Sequence, residues 1–329
     1  MKAKFGYRAV EERYQPSQLL RYATMADKQG FEFVCISDHF HPWFHRGGCA
    51  GQAWVWIGAA GTATRNVRIG TGVTTCIYRY DPSIVAQTFA TLDELYPGRI
   101  FLGIGTGEAM NEMPMAKQGQ TWPPHEERLE RTVEAVEIIR ALWDRDFVNY
   151  NGKYYKLTEA NLYTKPRTHI PIYFAASGPK AARTAGRLGD ALMTGAESGS
   201  TNKIFSWFNE GAREVGKNPD TMPRMVEMKV SYGDDFEKAL ESTLMWLPVK
   251  NSLNISDPRE LDRLRIGVDP KVLSNTVFTD LDHLIHEIEN LIKMGFTEVQ
   301  LSSNSPDEEK LIRDFGEKAL PYLKETYSK

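Results

Sequence analysis

Short runs of aliphatic, aromatic and β-branched residues alternate along the chain with longer segments in which apolar residues recur every three or four positions. A turn separates each short run from the helical segment after it. This alternation is typical of parallel strands joined by crossover helices, because a tight turn cannot connect parallel neighbours. The predicted strands lie at residues 4–7, 33–36, 67–71, 100–104, 171–175, 191–193, 225–230 and 297–302.

Helical segments follow these strands at residues 17–30, 54–64, 83–96, 126–143, 179–188, 202–215, 236–245 and 308–327. About eight strand and helix units are what a (β/α)8 barrel requires. The sequence therefore predicts an α/β fold of the TIM-barrel type, and a doubly wound sheet is the second choice.

Two segments do not follow the alternation. Residues 148–155 carry Asn-Gly between alternating β formers, which predicts a hairpin within an insertion near residues 148–165. Residues 246–275 are rich in Pro, Ser, Asn and Asp and predict a second, long insertion. We expect a single barrel domain over residues 1–329, with insertions that shape a pocket or a lid.

Composition and charge point to small-molecule partners. Of the 329 residues, 41% are hydrophobic and 11% aromatic, which excludes intrinsic disorder. The 40 basic and 43 acidic residues give a net charge of -3, so the chain lacks the basic excess of a nucleic-acid-binding protein.

The cysteines and the apolar segments bear on location. Cys35, Cys49 and Cys76 are odd in number and have no Cys-x-x-Cys spacing, which argues against a disulfide framework and a structural zinc site. No apolar run approaches the roughly 18 residues that a membrane span needs. We therefore expect a cytoplasmic protein with no membrane partner.

Three histidines follow the second predicted strand, and in a barrel the loops after the strands carry the active site. His39, His41 and His45 suggest a zinc site, but Pro42 bends the segment and Asp38 is its only acid. A general base is the preferred interpretation, with Asp38 or a backbone carbonyl fixing the tautomer of one histidine. An ordinary surface loop with histidines is the alternative.

Glycines follow the third and fourth predicted strands. Gly70-Thr71-Gly72 would allow a flat ligand to approach the backbone, or would form only a bulge. Gly103, Gly105 and Gly107 are followed by Glu108, whose carboxylate would repel a pyrophosphate. This segment disfavours a dinucleotide or Walker loop and makes Glu108 a candidate proton donor or acceptor.

The loop after the fifth predicted strand, Ala175-Ala176-Ser177-Gly178-Pro179, precedes a helix that we expect to begin at Pro179. Small residues there would expose backbone N–H groups at the positive end of the helix dipole, which suits a phosphate. An ordinary serine cap is the simpler alternative.

Taken together, these segments resemble the bacterial luciferase-like superfamily, and within it the coenzyme F420-dependent dehydrogenases of glucose-6-phosphate and of secondary alcohols. The resemblance covers almost the whole chain and implies a (β/α)8 barrel, a homodimer, and hydride transfer between a substrate carbinol carbon and C5 of the deazaflavin. The matching stretches are Ser37-Asp38-His39-Phe40-His41-Pro42-Trp43, Arg79-Tyr80-Asp81-Pro82, Ala86-Gln87-Thr88-Phe89-Ala90-Thr91, Tyr96-Pro97-Gly98-Arg99 and Gly105-Thr106-Gly107-Glu108-Ala109-Met110-Asn111-Glu112.

The same resemblance implies roles for individual residues. His39 would take the hydroxyl proton, and Glu108 would be the acid near N1 of the deazaflavin. Trp43 and Glu12 would complete the catalytic pocket, with Trp43 and Thr194 against the substrate. The implied coenzyme contacts are Asp38, Thr75, Thr106, Gly107 and Asn111, a cis peptide at Gly72-Val73 behind the ring, and Ser177, Gly178, Lys180 and Ala181 at the phosphate tail.

The substrate that the resemblance implies depends on whether basic side chains are present to bind a phosphate group. The sugar-phosphate members hold the phosphate with lysines and an arginine, whereas residues 193–198 here carry no cation and the other two positions align with Ser252 and Ser274. Gln52-Ala53-Trp54-Val55-Trp56 and Ser303-Asn304-Ser305-Pro306-Asp307 also look more like the secondary alcohol dehydrogenases. The sequence therefore favours a neutral secondary alcohol.

Several alternatives stay open at this point. Glucose-6-phosphate is the first, since a cation of the late insertion could reach the pocket: Lys250, Arg259, Arg263 or Arg265. An FMN-dependent monooxygenase of the same superfamily, a catalytically silent member and a metal-dependent hydrolase are more distant.

Overall fold

The computed structural model describes residues 2–196 and 201–327. Its strands are β1 (Lys4–Ala9), β2 (Phe33–Ile36), β3 (Arg68–Thr71), β4 (Ile100–Ile104), β5 (Val148–Asn151), β6 (Lys156–Ala160), β7 (Ile172–Ala175), β8 (Ala191–Gly195), β9 (Arg224–Tyr232), β10 (Val277–Phe278) and β11 (Glu298–Ser303). Its helices are α1 (Pro16–Lys28), α2 (Ala53–Ala63), α3 (Pro82–Leu95), α4 (Ala109–Glu112), α5 (His125–Asp144), α6 (Pro179–Leu188), α7 (Thr201–Glu214), α8 (Phe236–Glu241), α9 (Pro258–Leu264), α10 (Leu281–Lys293), α11 (Glu308–Asp314) and α12 (Leu320–Tyr327). Within these two ranges no helix has the length and apolar character to cross a membrane.

Eight parallel strands close into a barrel in the order β1, β2, β3, β4, β7, β8, β9 and β11. Pairing of β11 with β1 and of β8 with β9 completes the ring. Each predicted strand is present within a few residues of its expected bounds, so the barrel prediction is confirmed. The doubly wound alternative is wrong, because an open sheet would leave two free edges.

The barrel interior below the loops is filled by side chains. Inward-facing aromatic and sulfur-containing residues form a core inside the ring, including Phe33, Phe101 and Tyr173. Arg68 lies in this layer, with its guanidinium 2.8 Å from Glu298 and 3.0 Å from the Tyr173 hydroxyl. The barrel interior below the carboxyl ends of its strands is therefore a packed core.

The hairpin insertion is present as β5 and β6, between α5 and β7, but its turn differs from the prediction. The strands pair as far as Asn151 with Lys156, so the connection has four residues and Asn-Gly is not its centre. A tertiary contact explains the difference: Glu134 of α5 accepts backbone hydrogen bonds from Lys153 at 2.7 Å and Tyr154 at 3.0 Å. This carboxylate holds the loop against α5.

The late insertion lies between α8 and β10 and consists of short helical turns around α9. The helix predicted over 236–245 ends at Glu241, and a 3-10 turn follows over Leu244–Trp246. The last predicted helix is also interrupted, by a π-helical turn over Phe315–Ala319. The insertion covers one side of the open end of the barrel.

Gly186 allows α6 and α7 to pack closely, because a Cβ there would lie 2.0 Å from the Phe208 carbonyl oxygen. We expect Gly186→Ala to lower the free energy of unfolding by about 1–3 kcal/mol through overpacking. Gly58→Ala is the matched control, since a Cβ at this position in α2 meets nothing within 4 Å, and it should raise stability by about 0.5–1 kcal/mol. Chemical denaturation measures both, and equal shifts in one direction would contradict the packing argument.

Candidate functional site

A cavity of about 580 Å3 opens at the carboxyl ends of the barrel strands. The loops after β1, β2, β3, β4 and β7 and the late insertion line it. Most of the residues singled out from the sequence meet here: Glu12, Asp38, His39, Trp43, Gly72, Val73, Thr75, Thr106, Gly107, Glu108, Asn111, Ser177, Ala181 and Thr194. Gly178 and Lys180 do not line the cavity.

His39 lies at the centre of the site and is 8% exposed. Its Nδ1 is 3.0 Å from the carbonyl oxygen of His41. Asn111 Nδ2 is also 3.3 Å from Nδ1, but it has Glu108 as an acceptor at 3.2 Å. Because a carbonyl only accepts, the closer contact favours the tautomer with the proton on Nδ1 and a lone pair on Nε2. That Nε2 is 3.4 Å from a carboxylate oxygen of Glu12 and 3.8 Å from one of Glu108. A backbone carbonyl thus fixes the tautomer that a general base needs.

Asp38 has a different task from the tautomer role considered for it. Its carboxylate accepts hydrogen bonds from Thr74 Oγ1 and from Arg79, each at 2.6 Å, and from the Tyr80 hydroxyl at 3.2 Å. Of the two groups predicted to fix the His39 tautomer, the backbone carbonyl is the one in contact with the ring, because the Asp38 carboxylate is bound by residues that follow β3. Asp38 ties the loop after β2 to the loop after β3.

Glu12 and Glu108 flank His39 and have opposite pKa shifts. Burial alone would raise the pKa of Glu12, but His39, Arg8 and the 2.6 Å hydrogen bond from Ser37 outweigh it and hold the pKa below its usual value. Burial raises the pKa of Glu108, against a smaller opposing effect of His39. Two carboxyls with separated pKa values suit an ionised partner and a protonated acid.

Asn111 connects His39 with Glu108. Its Oδ1 accepts backbone hydrogen bonds from Phe40 at 2.9 Å and His41 at 3.4 Å, and its Nδ2 donates to Glu108 at 3.2 Å. A single amide therefore fixes both the histidine loop and the acid.

Glycines give the cavity a flat backbone wall after β3 and β4. The peptide bond between Gly72 and Val73 is cis, as the resemblance implies. Gly107 has φ 76°, and a Cβ at Gly105 would lie 2.7 Å from Val73. Side chains at these positions would strain the backbone or fill the space, so this wall suits a planar ligand.

The N-terminus of α6 reaches the cavity through Ser177 and Ala181. Gly178 is the N-cap and no side chain caps the helix, so the serine-cap alternative is wrong. First-turn N–H groups without a side-chain partner suit an anion. Lys180 points away, with its Nζ 2.6 Å from Glu126 and its side chain 67% exposed.

Charged residues on the strands themselves were missed. Arg8 of β1 and Glu227 and Lys229 of β9 line the cavity, as does Arg265 of the late insertion. Nothing in the sequence marked Arg8 or Glu227 as inward-facing, since a charged residue within a strand usually indicates exposure. Among the four cations considered in the insertion, only Arg265 lines the cavity, with Nη1 2.7 Å from the Trp43 carbonyl.

The three histidines after β2 are not arranged as metal ligands. His41 Nδ1 lies 3.3 Å from the Ser256 carbonyl, and the His45 backbone N–H donates to Asp262. Across residues 2–196 and 201–327, no three His, Cys, Asp or Glu side chains are grouped to hold a metal ion.

Comparisons with known proteins agree with this geometry. Residues 3–266 match the model of the luciferase-like monooxygenase family. An F420-dependent glucose-6-phosphate dehydrogenase of Microbacterium testaceum is 38% identical over 99% of this chain and 98% of its own length. One from Amycolatopsis mediterranei is also 38% identical, over 98% of both chains.

Solved structures show the same relationship. The structure of an F420-dependent secondary alcohol dehydrogenase in complex with an F420-acetone adduct is 41% identical, with a TM-score of 0.91 over 96% of this chain and 98% of that chain. The resemblance inferred from the motifs is thereby confirmed. The chain belongs to the luciferase-like monooxygenase family, and its close relatives in it are F420-dependent dehydrogenases.

Proposed function

We propose that this protein is a coenzyme F420-dependent dehydrogenase that oxidises a secondary alcohol. The observation that carries the proposal is the position of His39 Nε2 between Glu12 and Glu108, on the floor of one cavity. A base for a hydroxyl proton and a separate acid are the two groups that hydride removal from a carbinol requires.

The residues present fit the coenzyme. The wall formed by Gly72, Val73, Gly105 and Gly107 suits a planar ring, and the N-terminus of α6 beside Ser177 suits the phosphate tail. The dependence on F420 printed for the relatives supports this assignment. When bound, F420 supplies a hydride acceptor at C5 of the deazaflavin.

The protein's own side chains would act as the general base and the general acid of the reaction. His39 Nε2 takes the hydroxyl proton as the carbinol hydride leaves, and the Glu12 carboxylate at 3.4 Å stabilises the imidazolium. Glu108, whose pKa is raised by burial, would hold a proton that it could donate to the ring of bound F420. Asn111 holds both partners in register through its contacts with Glu108 and the histidine loop.

Apolar side chains in the cavity lining favour a simple alcohol. They are Trp43, Met245, Trp246, Leu247 and Val249. Such surfaces bind alkyl groups through burial of apolar area. The 41% identical secondary alcohol dehydrogenase supports the same substrate class.

Glucose-6-phosphate is the second candidate, and Lys229 is the observation in its favour. This residue lines the cavity with its Nζ 5.7 Å from the Trp246 ring centroid. An ammonium group there offers a phosphate a point charge. The curated relatives at 36–38% identity are glucose-6-phosphate dehydrogenases.

Deazaflavin absorbance, followed with propan-2-ol and with glucose-6-phosphate as separate donors, tests the proposal. We expect F420 reduction with propan-2-ol, and Lys229→Met should leave this rate within about threefold because a neutral substrate needs no cation. Turnover of the sugar phosphate alone, lost in Lys229→Met, would replace the proposal with the second candidate. FMN binding without F420 binding would contradict both. The homodimer and the cytoplasmic location stay predictions.

A further inference from the structure

Arg8 is a buried cation in the cavity with contacts to two other strands. It extends from β1, with a side chain that is 10% exposed. Its Nη2 donates a 2.6 Å hydrogen bond to the Gly72 carbonyl after β3, and its Nη1 lies 3.3 Å from Glu227 of β9. One guanidinium therefore links three strands of the barrel at the level of the cavity.

The space around Gly72 is fitted to this guanidinium. A Cβ at Gly72 would lie 3.0 Å from Arg8 Nη1 and 2.5 Å from Cys35 Sγ. Arg8 and Cys35 therefore pack against the wall at Gly72. Loss of the guanidinium would leave the Gly72 carbonyl without this donor and the wall without this support.

Arg8 also offsets the negative charge of the cavity. Besides Asp38 and Glu112, which are held by Arg79 and by backbone N–H groups, three carboxyls line this space, Glu12, Glu108 and Glu227, and burial of like charges is costly without a cation. The ionisable groups that act on Arg8 are these three and Cys35. Arg8 contributes to the lowered pKa of Glu12, which keeps that carboxylate charged beside His39.

We propose that Arg8 is a positioning residue for the dehydrogenase: its guanidinium fixes the Gly72–Val73 wall that would support the coenzyme ring and places a positive charge among the carboxyls of the cavity. This inference rests on the proposed function. The residues that set the pH range of the reaction would then include Arg8, which lies on a strand and outside the loop motifs.

Arg8→Met tests this role in the complete protein. We expect kcat to fall by about tenfold or more, since a preorganised charge is lost. The acidic limb of the kcat/KM profile should move to higher pH, because Glu12 without the cation stays protonated to higher pH. F420 affinity, measured by fluorescence without any substrate, should also fall. Arg8→Lys should restore the limb towards the wild-type position, because it keeps the charge.

Arg68→Met is the matched control, because Arg68 also forms an ion pair inside the barrel, with Glu298, but does not line the cavity. It should leave the pH profile and F420 affinity at wild-type values. The double variant Arg8→Met/Glu227→Gln removes the unpaired carboxylate if Arg8→Met fails to fold, and it should show the same shifted limb.

The results of these experiments distinguish a failure of the role proposed for Arg8 from a failure of the proposed function. A wild-type protein that binds and reduces F420, with Arg8→Met unchanged in pH profile and affinity, overturns the role of Arg8 alone. Equal changes in Arg68→Met overturn it as well, since they would indicate a general effect of buried charge. A wild-type protein that does not bind F420 overturns the proposed function and this inference together.

Discussion

Replacement of His39 by asparagine should lower kcat for alcohol oxidation by roughly 10²- to 10⁴-fold, the usual contribution of a general base. The asparagine amide keeps a donor for the His41 carbonyl, which Nδ1 contacts at 3.0 Å, so the loop should keep its shape. It has no equivalent of Nε2, the atom that faces Glu12 and Glu108. Steady-state kinetics with saturating F420 and alcohol measure the effect.

The binding of F420 to His39→Asn separates a chemical defect from a structural one. We expect its dissociation constant to stay within about threefold of wild type, because the glycine wall and the α6 N-terminus are unchanged. His169→Asn is the matched control on the surface, where the imidazole lies 3.3 Å from Asp190 and outside the cavity. Wild-type turnover in His39→Asn would remove this histidine from the proposed chemistry.

Several barrel strands were predictable because each is a short apolar run followed by a turn. Phe33–Ile36 and Ile100–Ile104 show how this works: both consist of apolar residues and glycine, and both are buried on every residue. The loops that follow carry His39 and Glu108, and the barrel rule places such loops at one end.

Contacts between distant segments could not be predicted from the sequence pattern. Arg79 clamps Asp38 across 41 positions, and Glu134 holds the hairpin turn from α5. Arg8 and Glu227 lie within strands, where single charged residues among apolar ones suggest exposure rather than an internal ion pair. The ion pair between Arg8 and Glu227 becomes evident only in the closed barrel, which brings β1 and β9 and the loop after β3 together.

Glu108→Gln should lower kcat by about 10²-fold, because glutamine fills the same volume but has no proton to give. The Asn111 Nδ2 contact at 3.2 Å can be kept by the glutamine oxygen, so coenzyme affinity should change little. The raised pKa of Glu108 means that this acid stays protonated to higher pH than an exposed glutamate. The wild-type rate should therefore fall as pH rises through that pKa, and this basic limb should be absent in Glu108→Gln.

Glu12→Gln tests the carboxyl on the other side of His39, which we expect to affect the acidic limb of the pH profile and not the basic limb. The lowered pKa of Glu12 keeps it ionised as pH falls, and its protonation contributes to the acidic limb. That limb should change in Glu12→Gln, while the basic limb stays. If both limbs persist in Glu108→Gln at wild-type kcat, the proton at N1 comes from another donor, and the division of labour between the two carboxyls is wrong.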